Sequence, residues 1–115
     1  MDYSDLPREV EGIDFRVSGI QEEDPFVRDA VYSVVVDSVK KLTKMLPVSH
    51  FSMHIKMHKE GGKRTKYSTH ASIRTDVGEF FAKDHDWDIM KATKLVLGKL
   101  EREVYRKEEK MKDHS

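Results

Sequence analysis

With 115 residues the chain can bury one sizeable core but not two, so a single domain is expected. It contains no cysteine, which excludes a disulfide framework, a thiol nucleophile and a thiolate metal site, and suits a reducing compartment. Lys plus Arg and Asp plus Glu stand at 21 each, a net charge of zero that argues at first against a nucleic-acid partner, because gripping phosphates draws on an excess of cations.

The charge is polarised along the chain, however. Residues 1–24 hold eight acidic side chains against Arg8 and Arg16, whereas residues 50–74 hold Lys56, Lys59, Lys63, Arg64, Lys66 and Arg74 against Glu60 alone. Residues 1–12 are polar, carry no apolar run, and are expected to form a poorly ordered acidic leader before one domain over 13–115. No apolar stretch approaches the ~18 residues that would span a bilayer, so a soluble cytoplasmic protein with no membrane partner is expected.

In chain order, residues 13–18 alternate, with Ile13, Phe15 and Val17 on one side and Asp14, Arg16 and Ser18 on the other, the period of a half-buried strand. Gly19 breaks it. Asp24-Pro25 then supplies an Asx cap followed by proline at the first helical position, where no amide hydrogen is needed. A helix is predicted over 25–46, with Val27, Val31, Val34, Val35, Leu42 and Leu46 making one apolar stripe, and Pro47 ends it. Because Val is a mediocre helix former, burial against a sheet must hold this helix in place.

Phe51, Met53, Ile55 and Met57 alternate strictly with Ser52, His54, Lys56 and His58, a strand whose two faces differ sharply. Gly61-Gly62 supply the positive φ of a hairpin turn. The alternation resumes with Tyr67, Ala71 and Ile73 inward and Lys66, Ser68, His70, Ser72 and Arg74 outward. After a turn at 76–78, residues 79–83 form a fourth strand with Phe80 and Ala82 inward and the side of Phe81 left open. The last helix starts near Asp86 or Asp88, with Ile89, Ala92, Val96, Leu100 and Val104 at core spacing.

This β-α-β-β-β-α order predicts an α+β two-layer sandwich: a four-stranded sheet with both helices on one face and a parallel pairing across the first helix. The other sheet face is left to solvent. It would carry Arg16, Ser18, His54, Lys56, His58, Lys66, Ser68, His70, Ser72 and Arg74, with no acid among the members on the second and third strands. A face kept only for solubility mixes signs. One rich in cations, hydroxyls and imidazoles suits phosphate and ribose oxygens, which makes Arg16, Lys56, His58, Lys66, His70 and Arg74 candidate RNA-binding residues.

Other chemistry fits less well. His54 and His58 have the spacing of helical zinc ligands, but on a strand they lie about 13 Å apart, too far to chelate one ion. His70 beside Ser68 and Ser72 makes no triad, since no orienting carboxylate and no pocket is suggested. No metal, cofactor, small-molecule substrate or enzymatic activity is expected. Trp87 and Tyr67 read as core residues, Trp87 as a cap on the last helix and not a base-stacking platform.

The stretch Gly78-Glu79-Phe80-Phe81-Ala82 through Asp88, Ala92, Lys99-Leu100, Arg102, Val104, Arg106 and Lys110 resembles, without a gap, the last strand and helix of the ribosome hibernation-promoting factor and ribosome-associated inhibitor family. Ser18-Gly19 and Lys41-Leu42 add to the resemblance, which covers roughly 13–114. It implies a fold similar to double-stranded RNA-binding domains and a partner in the small ribosomal subunit and its ribosomal RNA. There such a protein occupies the messenger and transfer RNA channel and silences translation during stress. It also implies RNA-binding roles for Lys41 and for Lys99, Arg102, Arg106 and Lys110, whose offsets keep them on one broad helix face. Three features depart from the family: the acidic leader, the dilution of the basic helix by Glu101, Glu103, Glu108 and Glu109, and the net charge of zero where a typical member is strongly positive. No C-terminal dimerisation domain, and so no direct pairing of ribosomes through one, is expected. The alternative from another class is a module that holds an acidic protein partner on the open sheet or the last helix.

Overall fold

The computed structural model describes residues 12–62 and 64–113; the expected leader, save Gly12, lies outside them. The elements are β1 (Asp14–Ser18), α1 (Pro25–Met45), β2 (Val48–Glu60), β3 (Arg64–Thr75), β4 (Gly78–Asp86) and α2 (Ile89–Asp113). The sheet order is β1-β2-β3-β4, with β1 parallel to β2 and the other pairs antiparallel. This is the predicted α+β arrangement. No helix among the described residues is long and apolar enough to cross a membrane.

Local chemistry sets the element ends. Asp24 Oδ1 accepts the Phe26 amide hydrogen at 2.8 Å, Pro25 opens α1, and Leu46, before Pro47, leaves it in an extended conformation. At α2 the choice between two aspartates resolves to Asp88, whose Oδ1 accepts from the Lys91 amide at 3.0 Å, while Asp86 Oδ2 accepts from the Asp88 amide. Gly61 and Gly62 both take positive φ in the hairpin turn. Gly19 is more tightly constrained: its φ is +90°, and a Cβ there would meet the Ile55 carbonyl oxygen at 1.8 Å. Only glycine lets the end of β1 lie this close to β2.

One core lies between the sheet and the two helices. Val31, Val35, Val39 and Leu42 of α1 and Val96, Leu100 and Val104 of α2 are fully buried in one cluster with Phe15, Phe51, Met53 and Ile55. Phe15 and Phe51, in register across β1 and β2, stack with centroids 5.5 Å apart. Each valine costs α1 about half a kcal/mol in helix propensity, but burying its side chain gives back about 1.5–3 kcal/mol. Burial decides. The buried Thr69 hydroxyl lies 3.2 Å from both the Asp84 and Ala92 carbonyl oxygens, tying β3 to β4 and α2.

Two elements differ from expectation. β4 runs on to Asp86, because the β3 register continues through His85 and Asp86 after the apolar signal has faded. Trp87 is not a core cap: it stays 44% exposed beyond β4, with the Arg64 guanidinium 4.1 Å from its ring centroid. That pairing offsets the exposure of an aromatic that the core does not accept.

Candidate nucleic-acid interface

Strand register sorts the open face into cross-strand rows. The first is Asp14, His50, Arg74 and Glu79; then come Arg16, Ser52, Ser72 and Phe81; Ser18, His54, His70 and Lys83; Lys56, Ser68 and His85; and His58 with Lys66. Asp14 and Glu79 sit in the first row and the next four contain no acid; the β2–β3 pairing then ends at Glu60 and Arg64. All five histidines among the described residues lie on this face.

The first row is internally neutralised. Arg74 bonds Glu79 Oε1 at 3.0 Å through Nε and at 2.9 Å through its terminal nitrogen. Asp14 lies 3.1 Å from His50 Nδ1 and 3.6 Å from Arg16. The His50 hydrogen bond, with Arg16 assisting, holds the Asp14 carboxyl below its usual range although partial burial opposes this. Further along, Ser18 Oγ and His54 Nδ1 stand 2.7 Å apart. By contrast Lys56, Lys66 and Lys83 make no ion pair with any described residue, so their charge is available to an incoming anion.

The basic helix meets this face around the β4 edge. Phe81, Ala82 and Lys83 line one concavity over the sheet together with Ser52, His54 and His70, and a second on the outer flank of α2 with Lys99, Arg102 and Arg106. Lys99 is partly spent on structure, donating to the Lys83 carbonyl at 3.1 Å and to Asp84 Oδ2 at 3.0 Å. That contact keeps the Asp84 carboxyl below the ordinary carboxylate range. Arg106 touches Glu103 at 3.3 Å; Arg102 and Lys110 have no ion-pair partner among the described residues.

Lys41 stands apart from the rest. It bonds Glu101 Oε1 at 3.1 Å, and Glu101 Oε2 accepts from the buried Ser38 hydroxyl at 2.9 Å. At about 100° per residue Glu101 is turned some 200° from Lys99, onto the flank that packs on α1. It therefore ties helix to helix and does not dilute the basic flank. Glu108 and Glu109 both reach Lys112, one turn further on. The candidate residues thus gather as Arg16, Lys56, His58, Lys66, His70 and Arg74 on the sheet and Lys99, Arg102 and Arg106 around its edge, with Lys110 farther out and Lys41 at the helix seam.

Sequence reasoning missed Lys83 and His85, which complete two rows from β4. The Phe80-Phe81 doublet hid the alternation there, and β4 was expected to stop at Lys83. Phe81 falls on the open face and is 68% exposed.

The family model described as "Hibernation factor Hib, C-terminal domain" matches residues 14–115. The chain belongs to that family. The hibernation-factor resemblance seen in β4 and α2 therefore holds, and this hibernation-factor domain spans every element of the fold. Two solved structures share its architecture: a ribosomal subunit interface protein from Coxiella burnetii, 19% identical, covering 82% of this chain and 93% of that one at a TM-score of 0.54, and the Protein Y N-terminal domain from Thermus thermophilus, 18% identical, covering 83% and 97% at 0.55. No protein of curated function matches the chain.

Proposed function

We propose that this hibernation-factor domain docks on the small ribosomal subunit in the cytoplasm, through ribosomal RNA, and silences translation by occupancy with no chemical step. Membership of the hibernation-factor family makes the ribosome the partner, and a neighbour of the same fold is named for the ribosomal subunit interface. The observation that carries the RNA reading is the run of four acid-free rows on the open face, continuous around β4 with Arg102 and Arg106. Such a surface lays ammonium and guanidinium groups against phosphates, which hold the protein in position without reading sequence. Hydroxyls and imidazoles between them can bond ribose oxygens. Inhibition follows from mass action: while the domain sits where messenger and transfer RNA would lie, neither enters.

Sedimentation through sucrose at low salt, together with translation in an extract, tests this. The protein is expected in the small-subunit and whole-ribosome fractions, with translation falling as it is titrated in. Its absence from ribosomal fractions at low salt would sink the reading, and capture instead by an acidic protein would put the interaction-module alternative in its place.

A further inference from the structure

The feature of the open face that phosphate gripping does not explain is Phe81. An aromatic ring 68% exposed amid serine, histidine and lysine gains nothing from the core, and its β4 neighbours Phe80 and Ala82 already supply the inward contacts. Its cross-strand partners in the row are Ser72 and Ser52, side chains too short to cover it. The result is a concavity of about 440 Å³ over the sheet, floored by those serines and walled by His54, His70, Phe81 and Lys83. On its other side the same residue borders the α2 flank, where Glu103 is paired with Arg106 and Arg102 is the cation without an ion-pair partner among the described residues. Phe81 is thus a ridge between an uncharged-floored hollow and a cationic one.

We propose that Phe81 is a stacking platform for one unpaired RNA base, with the flanking backbone crossing the β4 edge so that its phosphates meet Lys83 on the sheet side and Arg102 on the helix side. This rests on the ribosome-docking reading and narrows it to a single-stranded segment. The chemistry selects RNA with exposed bases: a duplex keeps its bases stacked on one another and presents phosphates, riboses and base edges but no base face, which gives no stacking role to an aromatic ring. A single strand offers a π-face to Phe81 and a phosphate on either side to the two cations. Ser52 and Ser72 on the floor place hydroxyls within reach of a base edge or a 2′-hydroxyl, while leaving room for the ring.

The full chain is titrated against fluorescein-labelled decauridylate, against a ten-base-pair RNA duplex, and against a decauridylate carrying one 2-aminopurine, whose emission falls on stacking. Phe81→Ala is expected to weaken decauridylate binding by about 5- to 150-fold, the range for losing one stacked base. It should also abolish the quenching and leave the salt slope unchanged, because no charge is removed. Phe81→Tyr should restore both, and the duplex should bind more weakly than the single strand. The ring is exposed, so the fold is expected to survive, as a thermal scan will show. Equal affinity of wild type and Phe81→Ala for decauridylate, quenching that persists in the variant, or preference for the duplex overturns the proposal. If the wild type still co-sediments with ribosomes, that result leaves the docking reading standing. A wild type that does not co-sediment overturns both.

Discussion

Lys99 on α2 reaches across to β4 and holds Asp84 at 3.0 Å while donating to the Lys83 carbonyl at 3.1 Å, so the first of the candidate RNA-binding cations on that helix is also the clamp that fixes the helix to the sheet edge. Asp84 is further engaged by the His85 amide at 2.7 Å. Replacing Asp84 by Asn should lower stability by about 1 kcal/mol, the low end for a charge-assisted bond because the lysine end is half solvated. Asp84's carboxyl is held below its ordinary value by Lys99. Its contribution is therefore fully present above the unfolded carboxylate value of about 4 and lost as pH falls through the lower folded value. Urea titrations of wild type and variant should differ by a constant amount from pH 6 to 8 and converge in strong acid. A gap that opens on acidification would show that the pair is not the source.

Glu101 looked, in sequence, like a charge that weakens the RNA-binding helix, and the structure gives it the opposite flank, bonded to Ser38 and Lys41. Glu101→Lys adds two units of positive charge to α2, yet it should not tighten RNA binding. It should lower stability by about 2 kcal/mol, because the buried Ser38 hydroxyl loses its acceptor and Lys41 gains a like-charged neighbour. Anisotropy with an RNA probe and a thermal scan separate the two effects. Tighter binding at unchanged stability would return Glu101 to the basic surface.

Much of this arrangement was legible beforehand because alternation is a direct record of burial. Period two over 51–58 and 66–74 gave β2, β3 and the open face together, the cap Asp24 gave the start of α1, and the start of α2 was narrowed to Asp86 or Asp88. What sequence did not carry was pairing. That Arg74 is held by Glu79, Lys99 by Asp84 and Lys41 by Glu101 depends on register and on helix rotation across elements far apart in the chain. The β4 members of the site were lost for a different reason: Phe80-Phe81 interrupts the alternation, so Lys83 and His85 had no visible face. Trp87 misled because aromatic size suggested the core, whereas the strand carries it one step past the helix cover, to Arg64.

Gly19 offers a sharp test of the β1–β2 geometry. Alanine at this position must place its Cβ at 1.8 Å from a backbone oxygen that cannot move without breaking the parallel pairing, and must also adopt φ of +90°. A cost of at least about 2 kcal/mol is expected, shown as a large drop in melting temperature or as insoluble protein. Gly61→Ala meets open space and only the milder strain of a φ of +46°, so it should cost about 1 kcal/mol, the low end for a side chain in the left-handed region. Equal effects at the two positions would mean that β1 does not approach Ile55 as described.

The salt dependence of RNA binding counts the cations that reach phosphate, and the structure narrows the candidates. Arg16, Arg74, Lys99 and Arg106 each already face a carboxylate, so engaging a phosphate requires breaking or sharing an existing pair. Lys56, Lys66, Lys83 and Arg102 have no such competitor among the described residues and should dominate. Four to five neutralised phosphates give a slope of log affinity against log salt of about −3 to −4.5, the shallower end applying to single strands. Lys56→Glu with Lys66→Glu should weaken binding and flatten the slope by about 1.4 to 1.8, because two contacts are lost. Arg74→Glu alone should change the slope by less than one contact and should cost stability through repulsion from Glu79. Both variants are readable by anisotropy from 50 to 300 mM salt. An unchanged slope in the double variant would mean that the open face does not touch phosphate, and the α2 flank with Arg102 would have to bear the binding alone.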